Sequence, residues 1–109
     1  MGTSTRVLIT SAAQDDLQQI VDFLSIEHPQ IALSFVQDLQ QRCIRLCGST
    51  PRAGRLLLQR EGFDLRQLIV GNYRLVYRHS DENGPIPNQV IILRVLHCAR
   101  DLSGIVQQL

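Results

Sequence analysis

The run from Tyr73 to Asp101, YRLVYRHSDENGPIPNQVIILRVLHCARD, limits what this chain can fold into more than any other stretch. Tyr73 to His79 sets charged residues between aromatic and aliphatic ones, as a strand with two unlike faces does. Gln89 to Cys98, QVIILRVLHC, is a nearly unbroken apolar run of strand length, which predicts a central strand covered on both faces. Between them lies SDENGPIPN, with the turn signal Asn83-Gly84 and two prolines. Nine residues exceed the usual two- to five-residue hairpin loop, so the expectation is a β-hairpin with an extended, mobile tip.

Upstream segments read as cover for this hairpin. Arg6 to Thr10, RVLIT, is a short β-branched strand for a sheet edge. Ser11 followed three residues later by Gln14 matches a capping box, with Asp15 and Asp16 near the positive end of the helix dipole. Ala13, Leu17, Ile20, Val21 and Leu24 recur on one face, which predicts a helix from about Ala12 to Glu27. Pro29 suits the first position of a second helix, whose apolar face is Ala32, Phe35, Val36, Leu39, Cys43, Leu46 and Cys47. Gly48 and then Pro51 are its stop signals. The short connection forces the two helices into an antiparallel hairpin.

Pro51 to Gly62, PRAGRLLLQREG, fits a loop, a short strand or a half-turn. Phe63 to Val70 is a clearer strand, and Gly71-Asn72 turns it into Tyr73. The last three strands then form a consecutive antiparallel meander. After Arg100-Asp101, DLSGIVQQL has room for one or two helical turns. The predicted fold class is α+β: an N-terminal strand, then a helical hairpin packed on an antiparallel sheet with a C-terminal three-strand meander. A chain of 109 residues, 44% apolar and 19% charged, is expected to be one soluble domain over residues 1–109. Both faces of its strands carry apolar groups, but two helices cover only one. The remainder is either a partner site or is covered by the Leu56–Leu58 segment and the tail.

Several function classes find little support. A net charge of +1 does not argue for nucleic acid, although all eleven basic residues are Arg. Three cysteines in no framework spacing fit a reducing compartment and a cytoplasmic protein. No apolar run approaches a membrane span. Cys43 and Cys47 share a helix face, whereas His97 and Cys98 point to opposite sides of a strand, so neither a metal set nor a Cys-His nucleophile is expected. No nucleophile elbow, phosphate loop or dinucleotide fingerprint is present, and no cofactor is expected. The polar candidates that remain are Arg74, Arg78, Arg94, His97, Arg100 and Asp101. Arg94, inside an apolar strand, needs a carboxylate partner such as Asp101, or an exit to solvent at the sheet edge.

Pro51-x-x-Gly54-Arg55, Leu65-Arg66, YRLVYR and VIILRVLHCARDL, in this order, resemble the ParE/RelE superfamily of toxins from type II toxin–antitoxin modules. The resemblance runs across nearly the whole chain and implies a cognate antitoxin, with which the chain forms a hetero-oligomer. RelE-like members are similar to ribonucleases that cut messenger RNA on the ribosome, using sheet cations and a tyrosine near the C-terminus. ParE-like members are thought to poison DNA gyrase and lack that set. This chain has no Lys and no aromatic residue after Tyr77, which favours the ParE-like, non-enzymatic reading. The alternatives are a RelE-like endonuclease, for which His97 would be the acid or base, and a non-toxic interaction module. On the ParE-like reading, Arg78, His97, Arg100 and Asp101 gather at the end of the last strand to bind the target, and Arg74 and Arg94 are structural.

Overall fold

In a computed structural model, residues 5–82, 84 and 86–99 are described. The chain runs β1 (Arg6–Ile9), α1 (Ser11–Ser25), α2 (Ala32–Ser49), β2 (Arg55–Arg60), β3 (Phe63–Val70), β4 (Tyr73–Ser80) and β5 (Gln89–His97). The strands form one five-stranded sheet in the order β1-β5-β4-β3-β2. β2 to β5 make an antiparallel meander, and β1 returns the N-terminus to the far edge, parallel to β5.

The helical hairpin lies on one sheet face. Its stripe of Ala13, Leu17, Val36, Leu39, Cys43 and Cys47 packs on Val70, Leu75, Tyr77, Val90, Ile92 and Val95. These are the i, i+3, i+4 positions of the helices and alternate positions of the strands, with one extra residue between Ile92 and Val95 where the β4–β5 register shifts. Burial of this apolar area is the main favourable term in the fold.

One open choice is resolved and three local expectations are corrected. The uncertain segment Pro51–Gly62 contains a strand, β2, on the sheet edge, with a register irregularity between Leu56 and Leu58. That irregularity breaks the strict alternation a half-buried strand would show, which is why the three leucines were ambiguous. The α1 cap is Thr10, not Ser11: its Oγ1 accepts from the Ala13 amide at 3.1 Å and donates to the Leu93 carbonyl at 3.1 Å. Asp16 therefore lies beyond the first turn. Pro29 precedes α2 in a turn, and the helix begins at Ala32. Gly48 sits inside α2, where a Cβ would lie 3.3 Å from Val7 Cγ2, so its small size lets α2 approach β1.

The β4–β5 connection is closed at its base, where the Asn88 amide donates to the Ser80 carbonyl at 3.1 Å and Asn88 takes a φ of 57°. Of the loop over residues 80–88, expected to form a mobile tip, Asn83 and Pro85 lie outside the described residues, as does the tail expected to form helical turns. Among the described residues no helix is long and apolar enough to cross a membrane.

Candidate partner-binding site

β1 ends early, and this shapes the site. It pairs with β5 only as far as Ile9 opposite Ile92. From Leu93 onward the edge of β5 faces α1 instead. At the same place the β4–β5 register shifts, with Val76 opposite Arg94 but Tyr77 opposite Ile92. The extra residue turns β5 locally, as a bulge does. Asp16 of α1 fills the position that a longer β1 would occupy. Its Oδ2 accepts from the Val95 amide at 3.0 Å and from Arg94 Nε at 2.7 Å, and its Oδ1 accepts from Arg94 Nη2 at 2.9 Å. This is a two-pronged guanidinium–carboxylate pair with a backbone donor added. The hydrogen bond to Asp16 pushes the Arg94 pKa further above its ordinary value, so the cation is fixed.

Beyond Asp16, α1 and the end of β5 diverge. The gap is a cleft of about 420 Å³ lined by Asp16, Gln19, Ile20, Phe23, Tyr73, Val95, Leu96 and His97. Its walls are mostly apolar. Tyr73 links it to α2: its ring lies 6.2 Å from Phe35 and edge-on to His97 at 5.6 Å. Phe23, 73% accessible, lines the cleft, and beyond it Ile26, Ile31 and Leu33 are exposed at 79%, 56% and 58%. That patch follows the end of α1, the connection and the start of α2. The helical hairpin thus carries a run of exposed apolar side chains. The opposite face of the sheet keeps Leu65 and Val76 buried, with the Arg78 guanidinium 4.0 Å over the Phe63 ring.

The polar residues expected at one site are dispersed. His97 stands exposed at the cleft rim, where its Nδ1 accepts from the Ala99 amide at 3.2 Å. Arg78 pairs with Ile91, whereas His97 pairs with Tyr73, five residues away along β4 and so about 17 Å distant. The expected proximity of Arg78 and His97 is thus corrected. Arg94 has its carboxylate partner in Asp16. Arg74 donates to the Cys98 carbonyl at 3.0 Å and to Gln67 Oε1 at 3.3 Å, holding the chain as it leaves β5. Arg100 and Asp101 lie outside the described residues.

A second polar cluster sits under the α2–β2 connection. Arg66 donates to Asp64 and to the carbonyls of Arg52 and Gly54. The Tyr77 hydroxyl accepts from the Gly54 amide at 3.1 Å and donates to the Pro51 carbonyl at 2.7 Å. Burial raises the Tyr77 pKa, so it stays a phenol. His79 is buried opposite Asp64 on the adjoining strand, and burial lowers its pKa. Cys43 and Cys47 are buried in the core, where loss of solvent pushes their thiols up to about 11 and about 12. Among the described residues no cluster of three His, Cys, Asp or Glu side chains has the placement of a metal site.

Sequence reading missed Asp16 and Phe23 as site residues. Asp16 carried a signal: it is a lone acid between Ala13 and Ile20 on the apolar stripe of α1, as Arg94 is a lone cation inside an apolar strand. Phe23 carried none, because an exposed aromatic on a helix looks like any other until the fold is known.

A helical hairpin laid on a five-stranded mixed sheet of this order defines the RelE/ParE-like α+β class. The family model of the ParE toxin of the parDE type II toxin–antitoxin system matches residues 7–102, and the chain belongs to that family. A chain of the chromosomal ParDE system of P. aeruginosa is similar with a TM-score of 0.63 and 19% identity, covering 86% of this chain and 96% of that one. One from the archaeal RelE-RelB complex of Pyrococcus horikoshii OT3 gives 0.60 and 18%, covering 91% and 100%. One from the toxin–antitoxin complex RelBE2 of Mycobacterium tuberculosis gives 0.50 and 29%, covering 87% and 99%. Among curated proteins nothing matches.

Proposed function

We propose that this ParE-family toxin acts by binding DNA gyrase without covalent chemistry, and that a cognate antitoxin silences it by covering the helical hairpin and the α1–β5 cleft. The observation that carries the non-enzymatic half is the engagement of the sheet arginines. Arg94 holds Asp16, Arg74 holds the Cys98 carbonyl and Gln67, and Arg66 holds Asp64 and two carbonyls. An RNA-cleaving site needs cations aimed at the charge that develops on the substrate, and these three already serve the protein's own acceptors. The gyrase target follows from what ParE-like toxins are thought to do. The antitoxin half is supported by the cleft and by Phe23, Ile26, Ile31 and Leu33, too large an apolar display for a chain that acts alone. Structural relatives come from complexes named for toxin and antitoxin pairs. Arg78, on the opposite sheet face, is the contact left for the target when the antitoxin site is filled.

Expression of the chain alone in a bacterium tests the reading. The expected result is a DNA-damage response, with loss of supercoiling by purified gyrase when the purified chain is added. Translation arrest, with ribosome-dependent messenger RNA cleavage lost in His97→Ala, would support the RelE-like alternative instead. Unimpaired growth by a chain that still binds its antitoxin would mark an interaction module.

A further inference from the structure

Building on the antitoxin reading, we infer that the partner segment seated in the α1–β5 cleft is basic and amphipathic, with large apolar anchors bordered by Arg or Lys. Charge is segregated along this chain. Residues 11–41 contain Asp15, Asp16, Asp22, Glu27 and Asp38 and no Lys or Arg. Apart from Arg6, every arginine lies at position 42 or later.

The fold converts this into a polarised surface around the cleft. Asp16 is neutralised by Arg94. Asp15, Asp22 and Glu27 are exposed, and no ion pair to them occurs among the described residues. Asp22 accepts from a neutral side chain, Gln18 Nε2 at 2.9 Å. Helical spacing places Asp15, Gln19 and Asp22 in one row of α1 and Asp16, Ile20 and Phe23 in the next, with Ile26 and Glu27 following in the turn at its end. The exposed apolar anchors Phe23 and Ile26 are therefore flanked by carboxylates along the mouth of the cleft. Among the described residues, the other titratable groups nearby are Tyr73 in the cleft wall, His97 on the opposite rim and His28 beyond Glu27.

A partner that buries Phe23 must come within a few ångströms of Asp22 and Glu27. An acidic segment would bring like charges together as water is removed, whereas Arg or Lys at the same positions would pair with them. Each exposed pair alone contributes little, but a row of them beside an apolar anchor selects the partner and raises its association rate.

Two synthetic helical peptides with the same Phe/Leu face test the inference. One carries Arg and Lys beside that face, and the other carries Glu and Asp at the same positions. Their binding to the full chain is followed by fluorescence anisotropy at low and high salt. The basic peptide should bind at least about tenfold tighter at low salt and lose most of that advantage at high salt. Asp22→Arg with Glu27→Arg should reverse the preference, and Phe23→Ala should weaken both peptides. These positions are exposed, and unchanged thermal unfolding of the variants would verify that they fold. Equal affinities, a tighter acidic peptide, or binding indifferent to Phe23→Ala would overturn the inference. An antitoxin that neutralises the wild-type chain and the Asp22→Arg, Glu27→Arg chain equally well would overturn it alone. Failure of any protein encoded beside this chain to relieve its toxicity would instead remove the antitoxin reading beneath it.

Discussion

The carboxylate of Asp16 links α1 to the unpaired edge of β5, holding both prongs of Arg94 and the Val95 amide. The two residues are 78 positions apart in sequence, and their pairing fixes where the first helix lies against the last strand. The cleft depends on that placement, since its walls are the next two turns of α1 and the last residues of β5.

Removing one partner strands the other. Asp16→Ala leaves a guanidinium and a backbone donor without their acceptor, which should cost about 3 kcal/mol, reduced by the fifth of the Arg94 side chain that reaches water. Asp16→Asn keeps a neutral acceptor and should cost about half as much. Urea denaturation of the three chains measures both. Equal stability of Asp16→Ala and wild type would show that α1 is held by apolar packing alone.

The α2–β2 connection should tolerate no side chain at Gly54. A Cβ there would meet Tyr77 Oη at 2.5 Å and the Gln67 carbonyl at 2.7 Å. The carbonyl belongs to the sheet backbone and cannot move aside, so Gly54→Ala should be strongly destabilising. Tyr77→Phe preserves the packing but removes the acceptor for Gly54 and the donor to Pro51, at a cost of about 1–3 kcal/mol. Thermal unfolding orders the two. A Gly54→Ala chain as stable as wild type would mean that this connection is not anchored on Tyr77.

The cysteines should react in two classes. Cys43 and Cys47 are buried and their thiols are pushed up to about 11 and about 12, so at neutral pH they are protonated and shielded. Cys98, at the partly exposed end of β5, should label first. A thiol-disulfide reagent followed by mass spectrometry of native protein should show one fast site and two slow ones. Replacing either core cysteine with Ala should cost about 1 kcal/mol from lost packing. Rapid modification of Cys43 or Cys47 would mean that α2 is not seated on the sheet.

Much of this architecture was legible because period and burial agree. The strand limits of Phe63–Val70 match in full, and β4 and β5 differ from their reading by one residue each. The β2 strand was obscured by its irregular register at Leu56–Leu58. The site was harder to read for a geometrical reason. Arg78 lies near the end of β4 and His97 at the end of β5, but antiparallel pairing sends Arg78 toward the Gln89 end and His97 toward the Tyr73 end. Register, set by the loop and the bulge, decides which residues meet, and composition does not encode it. The Asp16–Arg94 pair was accessible in principle, because each is a single charge on an otherwise apolar face and each needs the other.

Acid should weaken the fold through His79. The ring is buried opposite Asp64, with Nδ1 3.7 Å from Asp64 Oδ1, too far for a hydrogen bond. Burial lowers its pKa; Asp64 and Asp81 act in the opposite direction, and Arg52 and Arg66 reinforce the lowering. In the unfolded chain the same ring titrates near its ordinary value of about 6.5. As pH falls below that value, the unfolded state takes up a proton that the folded state still refuses. Stability is thus fully present above about pH 6.5 and is lost as pH falls toward the lowered folded value, below which the loss levels off. Denaturant midpoints measured from about pH 8 to about pH 5 should decline in this window. His79→Gln carries no titrating ring, so its decline over the same window should be shallower, whatever its stability at neutral pH. Parallel pH profiles for wild type and His79→Gln would show that His79 gains its proton equally in both states.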